Sequence, residues 1–113
     1  MEKLPVIFRK ESDDSILAIF PTQCEGYAGY HMLCYAHVGQ HGSCSLEYYQ
    51  NNTTPAAPDE YAPLLVELTA IYTTRPSERS DIYGEPITLD VRARRTSAMH
   101  KQFMAQAVAM DNA

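Results

Sequence analysis

Two cysteines and two histidines lie within eleven residues near the middle of the chain, between Cys34 and Cys44. Their spacing is C-x2-H-x3-H-x2-C, and thiolate and imidazole groups are ligand types that Zn²⁺ prefers. One interpretation of the segment is therefore a structural zinc site, with four ligands: Cys34, His37, His41 and Cys44. Against it, a regular strand over residues 30–38 would project Cys34 and His37 from opposite faces, where they could not share an ion.

A second interpretation of the same segment is a structural turn without a metal. Glycine accepts a positive φ angle without a Cβ clash, so Gly39 and Gly42 allow the backbone to bend. The two thiols would then be buried as small apolar groups, as unpaired cysteines usually are. The residues predicted to form the turn are His37, Gly39, Gln40 and His41. In this interpretation, which we prefer, we expect no cofactor, with zinc as the alternative.

A third interpretation is a Cys/His-dependent enzyme. A thiol within reach of His37 or His41 can act as a nucleophile, and Cys44 at a helix N-terminus would have a lowered pKa. Ser43 is predicted to cap that helix, which would run to about Gln50. The sequence contains no recognisable third catalytic group or oxyanion hole. We therefore expect a protein without enzymatic activity.

Tyrosines and a basic segment are the candidates for a binding surface. The chain has eight tyrosines and no tryptophan, and tyrosine is favoured at interfaces because it joins an apolar ring to a polar hydroxyl. Residues 92–101 carry four lysines and arginines and no acid, whereas residues 39–74 carry four acids and no lysine or arginine. The predicted binding surface comprises Tyr48, Tyr49, Arg92, Arg94, Arg95 and Phe103.

Length and composition fit a single domain over residues 1–113. The chain is 45% hydrophobic and 20% charged, as is typical of a globular domain with its own core. No apolar run of about 18 residues predicts a membrane helix, and no signal peptide is visible, so we expect a cytoplasmic protein. The net charge of −5 argues against nucleic-acid binding, which requires a positive field. The three cysteines are expected as thiols.

The predicted elements are three strands, two helices, a fourth strand and a last helix. They are expected at residues 4–10, 16–21, 30–38, 43–50, 58–72, 87–92 and 96–113. Branched and aromatic residues predict the strands, with Pro21 ending the second, and Pro58 suits the first turn of the core helix. The predicted fold is α+β: a small antiparallel sheet in the order β-β-β-α-α-β-α, with helices packed on one face.

The C-terminal helix at residues 96–113 leaves two alternatives open. Thr96 or Ser97 caps it, and an apolar stripe runs along one side of it: Met99, Phe103, Ala107 and Met110. In one alternative the helix is peripheral and docks on a partner or on a second copy of the chain. In the other alternative it packs into the core of the single domain.

Three motifs resemble a family of small uncharacterised proteins of phages, prophages and other mobile elements. They are Phe-Arg-Lys and Ile-Phe-Pro around the first turn (8–10 and 19–21), His-Val-Gly-Gln-His (37–41), and Glu-Tyr-Ala-Pro-Leu-Leu-Val-Glu-Leu (60–68). That family has no assigned activity, so the resemblance implies a genomic context and no particular chemistry. We expect a small accessory protein of phage or mobile-element type that binds a host or element-encoded protein, or itself as a homodimer.

Overall fold

The computed structural model describes residues 3–25, 31–36, 41–74 and 88–111. Within these ranges lie six strands and three helices, in chain order: β1 (Lys3–Glu11), β2 (Ile16–Glu25), β3 (His31–Tyr35), β4 (His41–Ser45), α1 (Leu46–Asn51), β5 (Thr53–Pro55), α2 (Pro58–Thr74), β6 (Thr88–Arg92) and α3 (Ser97–Asp111). The predicted α+β class is confirmed. Two short strands, β4 and β5, are added to the predicted order.

Strand β1 lies at the centre of a largely antiparallel sheet. On one side it pairs with β2, and the sheet continues outward in the order β4-β3-β2-β1. On its other side β1 has two partners. Residues 9–11 pair antiparallel with β5, and residues 3–7 pair parallel with β6. The segments before and after α2 therefore meet on the same edge of β1.

The first hairpin is confirmed, but the prediction that Pro21 ends its second strand is wrong. Strand β2 continues through Pro21 to Glu25. The register of its pairing with β3 shifts between Phe20 and Cys24. A proline at such an irregularity removes no regular ladder hydrogen bond, because the pairing is already interrupted there. The strand can therefore accommodate Pro21, whose side chain is fully buried.

Apolar side chains of the sheet pack on both of its faces. We call the cluster that includes α2 the first cluster; it contains Leu4, Val6, Phe8, Ala18, Phe20, Leu33, Tyr35, Leu64, Leu68, Ile71 and Tyr72. The second cluster includes α1 and α3; it contains Ile7, Leu17, Ile19, Met32, Cys34, Cys44, Tyr49 and Phe103. Helices therefore cover both faces, whereas one covered face was expected. The reason is visible in β1, where the consecutive apolar residues 6–8 are all buried. Because successive side chains of a strand point to opposite faces, both faces of the sheet must be packed against other elements.

Helix α2 presents an apolar stripe to the first cluster: Leu64, Leu68, Ile71 and Tyr72. It runs unbroken from Pro58 to Thr74 although Pro63 lies inside it. Pro63 lacks the N–H that would bond to the carbonyl of Asp59, which is a single lost bond near the helix start. The carboxylate of Glu60 accepts a hydrogen bond of 2.9 Å from the N–H of Ala57 and supports that start.

Helix α3 packs against β2. Three residues of its predicted stripe are buried, with exposed fractions of 6% for Met99, 1% for Phe103 and 4% for Ala107. The hydroxyl of Thr96 accepts a hydrogen bond of 3.2 Å from the N–H of Met99, which confirms Thr96 as the cap. In the described part of the chain, no helix combines the length and apolarity needed to cross a bilayer.

Candidate binding groove

A groove lies between α1 and the start of α3, and we call it the basic groove. Its volume is about 430 Å³. One wall is formed by three residues of α1: Leu46, Tyr49 and Gln50. The other wall is formed by residues 94–97 together with His100 and Lys101. The lining contains three permanent cations and no carboxylate.

Tyr49 connects the two walls. Its side chain is 8% exposed, and its hydroxyl accepts a hydrogen bond of 3.3 Å from the backbone N–H of Arg95. The guanidinium carbon of Arg9 lies 4.6 Å from the centroid of the Tyr49 ring, in a cation–π contact. Tyr49 therefore fixes the distance between α1 and the segment that enters α3.

Arg9 is a buried cation under Tyr49. Its Nε donates to Oγ1 of Thr53 at 2.8 Å, and its Nη2 donates to the carbonyl oxygens of Thr53 at 2.8 Å and Tyr49 at 3.3 Å. Within the described ranges no carboxylate pairs with it. Backbone carbonyls satisfy its donors without cancelling its charge, so Arg9 contributes positive potential beneath the basic groove.

Arg95 is a half-buried cation that lies just before α3. Its guanidinium carbon lies 5.3 Å from the ring centroid of the buried Phe103, and its Nη1 is buried with no hydrogen-bond partner among the described residues. Burial lowers the pKa of Arg95, because removal from water disfavours the charged form. An anion bound in the groove would compensate the positive charge of Arg95.

Arg94 and Lys101 are exposed and extend the positive charge of the groove. No ion pair joins either of them to a carboxylate among the residues that the structure describes. The N-terminus of α3 adds the positive end of its helix dipole at the same place. This concentration of positive charge stands out in a chain whose net charge is −5.

The other residues of the predicted binding surface lie elsewhere. The hydroxyl of Tyr48 donates to Oε1 of Glu11 at 2.5 Å, which raises the pKa of Tyr48 to about 12. Tyr48 lines a separate cavity of about 470 Å³ on the other side of α1. Arg92 bonds to Oδ2 of Asp90 at 2.9 Å and 2.8 Å, outside the groove. Phe103 supports Arg95 from below but is buried. The groove thus unites Tyr49, Arg94 and Arg95 of the predicted set.

Six groove residues were not among the predicted site residues: Leu46, Gln50, Thr96, Ser97, His100 and Lys101. The last three are spaced by three and four positions from Ser97, which places them on one face of α3. Lys101 belongs to the basic segment at 92–101, so helical periodicity applied to that segment could have found all three. Gln50 and Leu46 carry no comparable signal, because their role depends on how α1 packs.

The candidate zinc ligands described by the structure lie on different faces of the sheet. Cys34 and Cys44 belong to the second cluster. The ring of His41 contacts Tyr35 and Phe20 of the first cluster, and its Nε2 lies 2.8 Å from the hydroxyl of Tyr72. Among the described residues no group of three or more potential ligands comes together. His37, Gly39 and Gln40 lie outside the described residues, so zinc binding and the turn stay predictions.

The expectation that Cys44 has a lowered pKa is wrong. Burial, and then the proximity of Cys34 and Glu11, raise the pKa of Cys44 to about 12. Cys44 and Ser43 lie in β4, and α1 begins after them with Ser45 as its cap, whose hydroxyl accepts from the N–H of Tyr48 at 3.0 Å. A thiol with this pKa stays protonated at neutral pH and is a poor nucleophile.

No family model matches the chain, and neither a curated protein nor a solved structure shows significant similarity to it. The fold and the groove together define a small α+β domain with an electropositive cleft. Its function must therefore be argued from the chemistry of that cleft.

Proposed function

We propose that this chain is a small non-enzymatic interaction protein that binds an acidic segment of a partner protein in the basic groove. The observation that carries the proposal is the charge of the lining: Arg94, Arg95 and Lys101 with no carboxylate. A cleft lined by one sign of charge attracts and orients the opposite sign. Pairing with Arg95 would also compensate a cation that no described residue compensates.

The composition of the groove supports a protein segment as its occupant. Arginine and tyrosine are enriched at the centres of protein interfaces, and Gln50 and Ser97 add neutral hydrogen-bonding groups at the rim. A long polyanion such as DNA would extend past the groove onto a surface with 14 acids against nine lysines and arginines. A short acidic segment avoids that repulsion.

The source of the partner is proposed from the sequence. The motifs at 8–10, 19–21, 37–41 and 60–68 favour a phage or mobile-element protein that binds a host or element-encoded partner. The odd number of cysteines, three, supports a cytoplasmic location, because small secreted domains usually pair their cysteines in disulfides. A second copy of the chain is the alternative partner, because residues 39–74 carry four acids and no lysine or arginine.

Titration with a short fluorescent polyglutamate peptide, followed by anisotropy, tests the proposal. Arg94→Gln and Lys101→Gln should each weaken binding about fivefold, which corresponds to about 1 kcal/mol for an exposed charge pair. Arg92→Gln is the matched control, since it removes the same charge outside the groove, and it should change affinity less than about twofold. Binding should also weaken as salt is added.

Two results would count against the proposal. If the peptide does not bind, or if Arg92→Gln weakens binding as much as Arg94→Gln, the groove is not the site. Sedimentation of the chain without peptide addresses the alternative partner. A dimer that dissociates in Arg94→Gln and not in Arg92→Gln would identify a second copy as the occupant.

A further inference from the structure

We infer that the group recognised in the basic groove is a phosphorylated side chain, with its phosphate held by Arg94, Arg95 and Lys101. This inference rests on the proposed function and adds the chemical class of the ligand. It is carried by three observations: the number of charges without an ion pair, the placement of Arg95 beside Phe103, and the absence of an exposed tyrosine, phenylalanine or tryptophan ring from the lining of the groove.

The first observation is the charge of the groove. Its lining holds three permanent cations and no anion, and none of the three is ion-paired to another described residue. A carboxylate brings a single negative charge, whereas a phosphate monoester carries about −1.5 to −2 at neutral pH. A phosphate therefore compensates more of the charge that the protein leaves open. Its three terminal oxygens also accept more hydrogen bonds than a carboxylate does.

The second observation is the placement of Arg95. Its backbone N–H donates to the hydroxyl of Tyr49, and the carbon of its guanidinium lies 5.3 Å from the ring centroid of the buried Phe103. Its Nη1 is buried, which leaves Nε and Nη2 as the pair of donors for an oxyanion. Paired N–H donors of a planar guanidinium match the geometry that phosphate recognition uses.

Hydroxyl groups complete the donor set. Thr96 and Ser97 line the groove beside the cations. The oxygen of Thr96 accepts from the N–H of Met99, so its own proton can be donated to an anion. With Arg94, Arg95 and Lys101, the groove thus combines charged and neutral donors around a volume of about 430 Å³, a size that suits a side chain rather than a helix.

The third observation separates a phosphorylated protein from a nucleotide or nucleic acid. Those ligands usually stack their bases on an exposed aromatic ring. Two rings line the groove, the phenol of Tyr49 and the imidazole of His100. Arg9 lies against the ring of Tyr49, which is 8% exposed, so the exposed His100 is the ring available to a base. The groove can therefore hold a phosphate, and it offers a base one small imidazole and no broad stacking platform.

Three matched peptides test the inference. They share a Gly-Ser sequence and differ at one position, which is phosphoserine, glutamate or serine, and each is titrated into ¹⁵N-labelled protein by NMR. We expect the phosphoserine peptide to bind about tenfold more tightly than the glutamate peptide, with shifts at Arg94, Arg95 and Lys101. Arg95→Lys keeps the charge but removes the fork, so it should abolish most of this preference. Arg92→Lys is the control and should leave it unchanged.

The outcomes distinguish this inference from the proposed function. Equal affinity for phosphoserine and glutamate would overturn the phosphate inference and leave an acidic-segment site. No binding of the phosphoserine peptide would overturn the phosphate inference, and the proposed function would be overturned as well if polyglutamate also failed to bind. Tighter binding of AMP or of vesicles containing anionic lipid than of the phosphopeptide would also overturn the inference, because the phosphate would then come from another source. If Arg95→Lys fails to fold, Lys101→Gln replaces it in the test, because Lys101 is exposed. An unchanged preference of that variant for phosphoserine over glutamate would show that the basic groove is not the phosphate site.

Discussion

Replacing Phe103 by alanine tests whether α3 belongs to the core of the domain. The Phe103 side chain is 1% exposed and lies in the second cluster. It also supports the guanidinium of Arg95. The substitution therefore removes packing between α3 and the sheet and, at the same time, the platform beneath one wall of the basic groove.

The expected loss of stability follows from the buried area. A buried aromatic side chain removes roughly 150–250 Å² from water, and at about 25 cal/mol per Å² this corresponds to about 4 to 6 kcal/mol. Alanine retains part of that burial, so we expect a decrease of about 3 to 5 kcal/mol in the free energy of unfolding. In a domain of this size each kcal/mol lowers Tm by about 4 °C or more, so Tm should fall by at least about 12 °C.

Thermal and urea denaturation followed by circular dichroism measure this effect. Val108→Ala is the control on the same helix, because Val108 is 53% exposed and its truncation should cost less than about 0.5 kcal/mol. If Phe103→Ala unfolds at the midpoint of the parent at every protein concentration, α3 is not packed on the monomer. The alternative in which residues 96–113 form a peripheral docking helix would then hold.

Three further predictions concern the cysteine and histidine segment. The pKa of Cys44 is raised from 9.0 to about 12 in the folded chain, so between these pH values the folded chain keeps a proton that the unfolded chain loses. The free energy of unfolding should therefore decrease as the pH rises from 9.0 to about 12. The prediction is contradicted if iodoacetamide labels the Cys44 thiol at pH 8 as fast in the native protein as in the urea-unfolded protein. Elemental analysis should find no stoichiometric zinc, since His41 faces away from the two thiols; one zinc per chain would instead support a site. Gly42→Ala should change the free energy of unfolding by less than about 0.5 kcal/mol. The reason is that the added Cβ would lie 3.7 Å from Sγ of Cys34, which is an ordinary van der Waals contact. A decrease above about 2 kcal/mol would show that the fold needs glycine at this position.

The elements with strong apolar patterns could be predicted from the sequence. The hairpin of β1 and β2, the stripe of α2 and the cap of α3 all follow from residue types and spacing. Strands β4 and β5 were not predicted because they are short and polar, and their pairing uses backbone groups that every sequence contains. The termination expected at Pro21 failed for a related reason: the irregular pairing of β2 with β3 is a property of both strands and is not encoded locally.

The positive charge of the basic groove could be predicted from the sequence, but the particular residues that line the groove could not. Arg92, Arg94 and Arg95 are equivalent in the sequence, and the structure separates them because Asp90 pairs with Arg92. In the same way Tyr48 and Tyr49 are indistinguishable until Glu11, 37 positions away, pairs with Tyr48. Such choices are made by tertiary contacts between distant segments, which a local pattern does not contain.

The pairing of β1 has a consequence for the order in which the chain can fold. Residues 3–7 pair with the segment at 88–92, and residues 9–11 pair with the segment at 53–55. Contacts that join such distant segments lower the folding rate, because a long loop must close before they form. Until β6 arrives, half of the central strand presents an unpaired and apolar edge that can pair with other chains. We therefore expect the docking of β6 on β1 to be the slow step of folding, and a nascent chain that lacks residues 88–92 to be prone to aggregation.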